Sequence, residues 1–398
     1  MIRRTLEPIL RQVAREYPAV TLTGPRQSGK TTLVREVFGE HDYASLEDPD
    51  LRSFAQEDPR GFLEQFSGPV ILDEVQRTPD LFSYVQTAVD EDDRAGRFIL
   101  SGSQNFLLLR SISQSLAGRC AILHLLPLSL AELIGRQPLP LASLGRRVPD
   151  PGLEPLAPLM ETLFRGFYPR IHAKGISPGR WLRSYYQTYV ERDVRELVNV
   201  GNLESFGRFV RLCAGRNGQL LNLSSLANDC GISHSTAGRW LSILEASFLV
   251  TLLRTHHRNF SKRLIKSPKL YFLDTGLLCY LLRVRSPDDL RLHASRGAIF
   301  ESFAVAELLK NFLHRGEEPD LYFWRDSTGH EIDALIELGA ESIAVEIKSG
   351  QTIAADFFRG LRYWRELVKD PGAPVGLIYG GDRSFLRQGM AIYGWSCL

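Results

Sequence analysis

The chain carries the sequence TLTGPRQSGKTT at residues 21–32. The apolar residues 19–22 are typical of a buried strand, and residues 33–38 have helical spacing. A glycine-rich turn that ends in Gly-Lys-Thr between a strand and a helix predicts a phosphate-binding loop (P-loop). Its backbone N–H groups and the helix N-terminus would face a polyphosphate. A chance glycine-rich turn is the alternative, but eight constrained positions in the right setting argue against it.

The residues of this loop have separate expected roles. Lys30 would reach the β and γ phosphate oxygens of ATP, and the Thr31 hydroxyl would bind Mg²⁺. ATP and Mg²⁺ are therefore the expected substrate and cofactor. The residues predicted to contact the nucleotide are Gly24, Pro25, Arg26, Gln27, Ser28, Gly29, Lys30, Thr31 and Thr32.

A second apolar run, at residues 68–76, ends in two carboxylates. A strand that ends in Asp-Glu is more often a solvated turn, but the P-loop upstream reverses that preference. We expect Asp73 to be the metal-side acid and Glu74 to be the catalytic base that polarises the attacking water.

Alternating strands and helices predict an α/β domain with a parallel sheet covered on both faces. Further strands are expected at residues 42–46, 97–104 and 120–126, and helices at residues 2–16, 54–66 and 81–89. Ser103 or Gln104 could sense the γ-phosphate at the end of one strand, or could simply form a turn.

Length and composition limit the class of protein. A chain of 398 residues is expected to hold two to four domains. The formal net charge of +2 means that any basic surface must be local. Five scattered cysteines favour neither a zinc site nor disulfides, and no apolar run is long enough for a bilayer, so we expect a cytoplasmic protein with no membrane partner.

A Pro- and Gly-rich stretch at residues 137–158 indicates a domain boundary. An aromatic stripe in residues 181–197 is interpreted as core. The predicted domains are an ATPase domain (1–135), a linker and helical region (136–205), a winged-helix-like domain (206–290) and a nuclease-like α/β domain (291–398).

The winged-helix prediction rests on residues 223–244, which have the pattern helix, tight glycine turn, helix. Ala227 would let the two helices approach, and Gly231 would supply a positive φ. A local basic run follows without an intervening acid and could contact DNA phosphates. That run comprises Arg254, Arg258, Lys262, Arg263, Lys266 and Lys269, with His256 and His257. A pure packing module is the alternative, which we leave open.

A second candidate site lies in a predicted hairpin of residues 331–337 and 342–350. Strand alternation places Glu346 and Lys348 on one face, with Asp333 opposite them. Together with Glu301 on the preceding helix, these groups could bind Mg²⁺ and cleave a phosphodiester. An exposed salt bridge is the alternative.

The first part of the chain resembles the AAA-type ATPase domain that opens a large group of uncharacterised bacterial and archaeal proteins. The resemblance rests on residues 24–33, 72–76, 98–104, 115–119 and 126–129. It implies ATP hydrolysis. An oligomeric AAA ATPase would also need an arginine finger from a neighbouring copy, for which Arg119 or Arg110 could serve.

The second half resembles DUF4143, a domain of unknown function, through residues 191–193, residues 269–276 and the set of Asp333, Glu346 and Lys348. That set is also similar to the PD-(D/E)xK nuclease superfamily, although Ile332 stands where the superfamily has proline. Two hypotheses follow. One is an ATP-regulated DNA-processing enzyme, and the other is a nucleotide-dependent switch that binds DNA or protein through a silent nuclease fold.

Overall fold

The computed structural model describes residues 2–103, 115–149, 157–189, 203–256 and 266–398. Two compact units divide the chain. The first comprises residues 1–128, 246–248 and 312–317, and the second comprises residues 129–245, 249–311 and 318–398.

The first unit is built on a parallel sheet with the strand order β2-β3-β4-β1-β5. All four neighbouring strand pairs are parallel, which confirms the predicted α/β sheet. Its strands are β1 (Ala19–Thr23), β2 (Asp42–Ser45), β3 (Val70–Asp73), β4 (Phe98–Gly102) and β5 (Cys120–His124). The described helices are α1 (Glu7–Val13), α2 (Lys30–Val37), α3 (Pro49–Glu57), α4 (Pro59–Glu64) and α5 (Leu81–Glu91).

The two faces of this sheet carry separate apolar cores because strand side chains alternate. Leu72 and Leu100 pack with residues of α3, α4 and α5 on one face, and Ile71 and Ile99 pack with residues of α1 and α2 on the other. Helices therefore cover both faces, and the carboxyl ends of the strands remain as the edge where a ligand can bind.

The single helix predicted over residues 54–66 is wrong, since α3 and α4 are separate helices. Pro59 has no N–H group to continue the hydrogen bonding of α3. Asp58 ends α3 and begins α4, where its side chain accepts a 2.9 Å hydrogen bond from the Gly61 N–H.

Beyond residue 128 a helical region is followed by a mixed sheet. The helices are α6 (Leu130–Ile134), α7 (Leu159–Arg165), α8 (Pro169–Lys174), α9 (Pro178–Tyr185), α10 (Leu203–Gly215), α11 (Leu223–Cys230), α12 (His234–Ala246), α13 (Thr275–Leu281), α14 (Pro287–Leu292), α15 (Arg296–Leu313) and α16 (Arg359–Val368). The predicted helix, glycine turn and helix are confirmed as α11, Gly231 with a φ of 67°, and α12. An antiparallel hairpin of β6 (Val250–Leu253) and β7 (Lys269–Phe272) follows them.

The aromatic stripe predicted to be core is buried at Trp181, Tyr185, Tyr186 and Tyr189. Rings of this stripe stack closely, with 5.0 Å between the centroids of Trp181 and Tyr185. The motif at residues 191–193 lies outside the described residues.

The second sheet has the order β12-β13-β11-β10-β9-β8. Its strands are β8 (Leu321–Arg325), β9 (Glu331–Leu338), β10 (Glu341–Lys348), β11 (Val375–Tyr379), β12 (Phe385–Arg387) and β13 (Met390–Gly394). The predicted hairpin is confirmed as the antiparallel pair β9 and β10, whereas β10, β11 and β13 run parallel. The likeness of this sheet to a nuclease stays a prediction.

All five cysteines are free thiols. Within the described ranges, no helix has both the length and the apolar character that crossing a bilayer requires.

Candidate functional site

The P-loop joins β1 to α2 at the carboxyl edge of the parallel sheet. Gly24 has a φ of 154°, and a Cβ atom there would lie 2.1 Å from the carbonyl oxygen of Leu125. Close backbone approach therefore demands glycine at this position. Gly29, with a φ of 96°, directly precedes α2, whose N-terminus carries partial positive charge toward the loop.

Lys30 is folded back over the P-loop. Its Nζ donates hydrogen bonds of 3.0 Å to the Gly24 carbonyl oxygen and 2.9 Å to the Pro25 carbonyl oxygen, and the residue is only 6% exposed. Burial lowers the pKa of Lys30 to about 8, although the carboxylates of Glu74 and Asp73 oppose this shift. An anion that replaced the two carbonyl groups would stabilise the charged form of the lysine.

Asp73 is buried at the end of β3 and accepts hydrogen bonds from three hydroxyl groups. Thr31 and Tyr43 each donate to Oδ2 over 2.9 Å, and Ser101 donates to Oδ1. The structure thus brings together the two groups predicted to bind Mg²⁺. A hydroxyl and a carboxylate oxygen fit that hard cation.

Tyr43 and Ser101 were missed from the sequence. Ser101 is the β4 residue paired with Asp73 in the sheet register, so the parallel strand order could have identified it. Burial and the adjacent Asp73 raise the pKa of Tyr43 to about 12, which keeps its hydroxyl protonated as a donor.

Glu74 is held in a left-handed backbone conformation, with a φ of 54°. Such a conformation costs a non-glycine residue about 1–2 kcal/mol and persists where surrounding contacts impose it. Ser103 donates a 3.1 Å hydrogen bond to Glu74 Oε2, and Gln76 donates to the same oxygen. Ser103 therefore contacts the expected catalytic base, while Gln104 lies outside the described residues.

Arg4 supports the P-loop from a position that no motif indicated. Its guanidinium is buried and donates 2.7 Å hydrogen bonds to the carbonyl oxygens of Ser28 and Leu126. Only tertiary contact reveals this role, because Arg4 lies 24 residues before Ser28.

The other predicted nucleotide contacts differ in placement. Arg26 is half-buried, whereas Gln27 and Thr32 are exposed. The structure does not bring Arg119 to the P-loop. Its carbonyl oxygen accepts a hydrogen bond from the Ala19 N–H at the amino end of β1, whereas the P-loop follows the carboxyl end, and its side chain forms an ion pair with Asp90. Arg110 lies outside the described residues.

The second candidate site is an ionic cluster between β9 and β10. Lys348 Nζ lies 2.6 Å from Glu346 Oε1 and 3.3 Å from Asp333 Oδ2. Asp333 also accepts a 2.8 Å hydrogen bond from the Ile347 N–H. The three predicted residues are therefore brought together as the strand pattern indicated.

A second lysine, Lys269 on β7, enters this cluster. It is only 4% exposed, and its Nζ lies 3.0 Å from Glu301 Oε1, 2.5 Å from Glu331 Oε1 and 3.9 Å from Asp333 Oδ1. Tyr271 on the same strand also donates to Glu301. Glu301 is thus in the cluster as predicted, whereas Glu331 and Tyr271 were not foreseen.

The expectation that Lys269 belongs to a phosphate-facing basic run is wrong. Burial by itself would lower the pKa of the Lys269 ammonium. The carboxylates of Glu301, Asp333 and Glu331 together have a larger and opposite effect, so the pKa is raised and the lysine keeps its charge inside the protein. His256 is also buried, 2.7 Å from Glu337, while Arg254 and Lys266 are exposed. The rest of the run, residues 257–265, lies outside the described residues.

The charges of the cluster nearly balance. Its four carboxylates and three cations are Glu301, Glu331, Asp333, Glu346, Lys269, Lys348 and Arg325, the last 2.8 Å from Glu331. Burial and Asp333 raise the pKa of Glu346 to about 8, and burial and Asp333 also raise that of Glu301. One proton on the cluster would make it neutral.

This arrangement does not fit a metal ion. In the part of the chain that the structure describes, no three His, Cys, Asp or Glu side chains are placed to hold one. Ammonium groups instead neutralise Asp333, Glu346 and Glu301, which were predicted to be metal ligands.

Comparison with protein families assigns three consecutive regions. Residues 16–134 match an AAA domain, residues 157–288 match a domain of unknown function (DUF8612), and residues 296–398 match a domain of unknown function (DUF4143). The stretch at residues 269–276, attributed above to DUF4143, therefore falls within the DUF8612 match.

Two uncharacterized proteins resemble the chain along most of its length, Rv2008c of Mycobacterium tuberculosis and Mb2031c of Mycobacterium bovis. Each is 30% identical over 387 residues, which cover 96% of this chain and 81% of the relative. Among solved structures, the Walker-type ATPase PABY2304 of Pyrococcus abyssi matches with a TM-score of 0.46 and 14% identity, over 71% of this chain and 96% of that one.

Proposed function

The chain belongs to the family of AAA-domain proteins that includes Rv2008c and Mb2031c, and from this premise we propose that it binds ATP at the P-loop and hydrolyses it. The observation that carries the proposal is the pair of contacts joining three separate segments at one edge of the sheet. Thr31 of the P-loop contacts Asp73, and Ser103 after β4 contacts Glu74. These contacts support the proposal because the groups that we expect to bind phosphate, to hold the metal and to activate water belong to neighbouring residues.

In this mechanism Lys30 exchanges its carbonyl partners for β and γ phosphate oxygens. Thr31 and Asp73 would hold Mg²⁺, which supplies charge neutralisation on the phosphates when it is bound. Glu74 orients a water and accepts its proton as the water oxygen bonds to the γ-phosphorus and the bond to the β-phosphate oxygen breaks. Ser103 and Gln76 fix the carboxylate of Glu74 for that step.

The test compares ATP binding and turnover in two variants. Lys30→Ala should lose the Mg²⁺-dependent binding of ATP at the P-loop, because the charge at the phosphates is gone. Glu74→Gln should bind ATP like the wild type but turn it over at least about a hundredfold more slowly, the typical contribution of a general base. Normal binding by the first variant would remove the P-loop from the proposal, and normal turnover by the second would remove Glu74.

For the ionic cluster we propose a structural role, which favours the hypothesis of a nucleotide-dependent switch over that of a DNA-processing enzyme. The observation behind it is that Lys269 and Lys348 already neutralise the carboxylates that a nuclease would offer to a metal. Plasmid incubated with the protein and Mg²⁺ or Mn²⁺ should stay intact. Nicking that disappears in Glu346→Ala, with ATP binding retained, would establish the nuclease instead.

A further inference from the structure

The second unit contains a cleft of about 430 Å³ outside both sites described above. It is formed by α7, α9, α13 and the turn that follows α13. Leu182 and Val284 provide apolar lining, and Gly276 lets α13 approach the end of α7 closely. A Cβ atom on Gly276 would lie 2.8 Å from the carbonyl oxygen of Arg165.

Three arginines line this cleft, and no acidic side chain is among its described lining residues. Arg183 comes from α9, and Arg283 and Arg285 come from the turn, all with exposed side chains. The next two acids in the chain are engaged with their own segment. Asp289 accepts a 3.1 Å hydrogen bond from the Arg285 backbone N–H, and Asp288 pairs with Arg291 over 3.6 Å.

Two aromatic rings, Phe164 and Tyr280, also line the cleft, and both are half-buried. The ring of Tyr280 contacts that of Tyr186, with 5.7 Å between the centroids. Tyr280 is thus held in place by packing and leaves part of its surface toward the cleft. Arginines beside aromatic faces suit a ligand with an anionic group and a planar ring.

Arg283 stands where the backbone favours glycine. It follows α13 and has a φ of 60°. The turn ends the helix, and in it the Val284 N–H donates a 3.0 Å hydrogen bond to the Cys279 carbonyl oxygen. The helix dipole favours a cation here, but every side chain with a Cβ atom is strained in this conformation. Backbone strain of this kind is found most often at functional sites, and Arg283 lines the cleft.

We propose that this cleft binds a small phosphorylated ligand with a planar ring, of the size of a mononucleotide, independently of the P-loop. Guanidinium groups match phosphate oxygens in bidentate geometry, and the two rings would hold the planar part. The cleft volume falls in the range of about 300–1,000 Å³ in which small-molecule pockets are found.

The test uses full-length Lys30→Ala protein, so that binding at the P-loop does not contribute, and follows the fluorescence of N-methylanthraniloyl-ADP. We expect saturable binding that inorganic pyrophosphate displaces. Adding Arg283→Gly should weaken binding about tenfold or more, as expected for loss of a charge-assisted hydrogen bond. The melting temperature should stay equal or rise, because glycine relieves the strained backbone.

Two further variants distinguish an effect at the cleft from a general loss of positive charge. Arg183→Gln should weaken binding similarly, whereas Arg239→Gln, which removes an equal charge from an exposed position on α12 outside the cleft, should not change it. The proposal fails if Lys30→Ala protein binds no probe, or if Arg283→Gly and Arg183→Gln bind it undiminished. It also fails if labelled single-stranded oligonucleotide binds in an Arg283-dependent way while the mononucleotide does not.

Discussion

Lys30 and Lys269 are buried to nearly the same degree, 6% and 4% exposed, yet their surroundings shift their pKa values in opposite directions. Lys30 donates to two backbone carbonyl groups, and burial lowers its pKa to about 8. The carboxylates around Lys269 overcome burial and raise its pKa. A buried lysine therefore indicates a site for an anionic ligand only where the protein does not itself supply the matching negative charge.

The largest effect should come from removing each lysine in turn. Lys269→Met leaves the half-buried Glu301 without its buried cation, while Glu331 keeps its pair with Arg325. Loss of this buried partner should lower the free energy of unfolding by about 3–5 kcal/mol. Lys30→Met removes a charge that burial disfavours, so stability without nucleotide should stay the same or rise. Denaturant titration of both variants measures these changes. An equal loss of unfolding free energy in the two variants would contradict the inferred difference between the two lysines.

The next effect concerns the proton held by the cluster. The pKa of Glu346 is about 8 in the folded protein, above the ordinary glutamate value of 4.5, so the folded state binds more protons between these pH values. The free energy of unfolding should therefore fall as pH rises through that window, by about 1–3 kcal/mol. Glu346→Gln cannot titrate and should flatten this slope in melts from pH 5 to pH 8.5. An unchanged slope would assign the proton to another group.

Nucleotide affinity should depend on pH through Lys30. Bound phosphate keeps this lysine charged, whereas the free protein loses the proton near pH 8. The Kd for ADP should be flat below about pH 7.5 and then rise up to about tenfold per pH unit. Calorimetric titration of Lys30→Arg, which stays charged, should show weaker or equal binding without the slope. A flat profile in the wild type would contradict the lowered pKa.

The smallest effect should come from Tyr43, which donates to the same oxygen of Asp73 as Thr31 does. Tyr43→Phe should raise the Mg²⁺ concentration for half-maximal ATPase activity about two- to tenfold. This range corresponds to the loss of one hydrogen bond that contributes about 0.5–1.5 kcal/mol. ADP affinity without Mg²⁺ should not change. Tyr84→Phe on the exposed face of α5 is the matched control, and an equal effect of both variants would exclude a specific role for Tyr43.

The elements around the P-loop were predictable because their signals are local. Residues 19–38 hold the strand, the loop and the helix together in one continuous stretch. The β9 and β10 hairpin was predictable for the same reason, since alternation within two neighbouring strands sets which side chains share a face. Pro59 is a local signal for the break between α3 and α4, which the expectation of one helix over residues 54–66 did not take into account.

The sequence by itself determined the phosphate-binding loop, the acids Asp73 and Glu74 at the end of β3, and the grouping of Asp333, Glu346 and Lys348. These depend on residue type, spacing and strand alternation, which act over a few residues. Only the tertiary structure decided that Arg4 supports the P-loop, that Tyr43 donates to Asp73, and that Lys269 neutralises acids rather than facing phosphates. Those roles depend on which distant segments meet and on whether a charge finds its partner once it is buried, and neither is encoded in a local pattern.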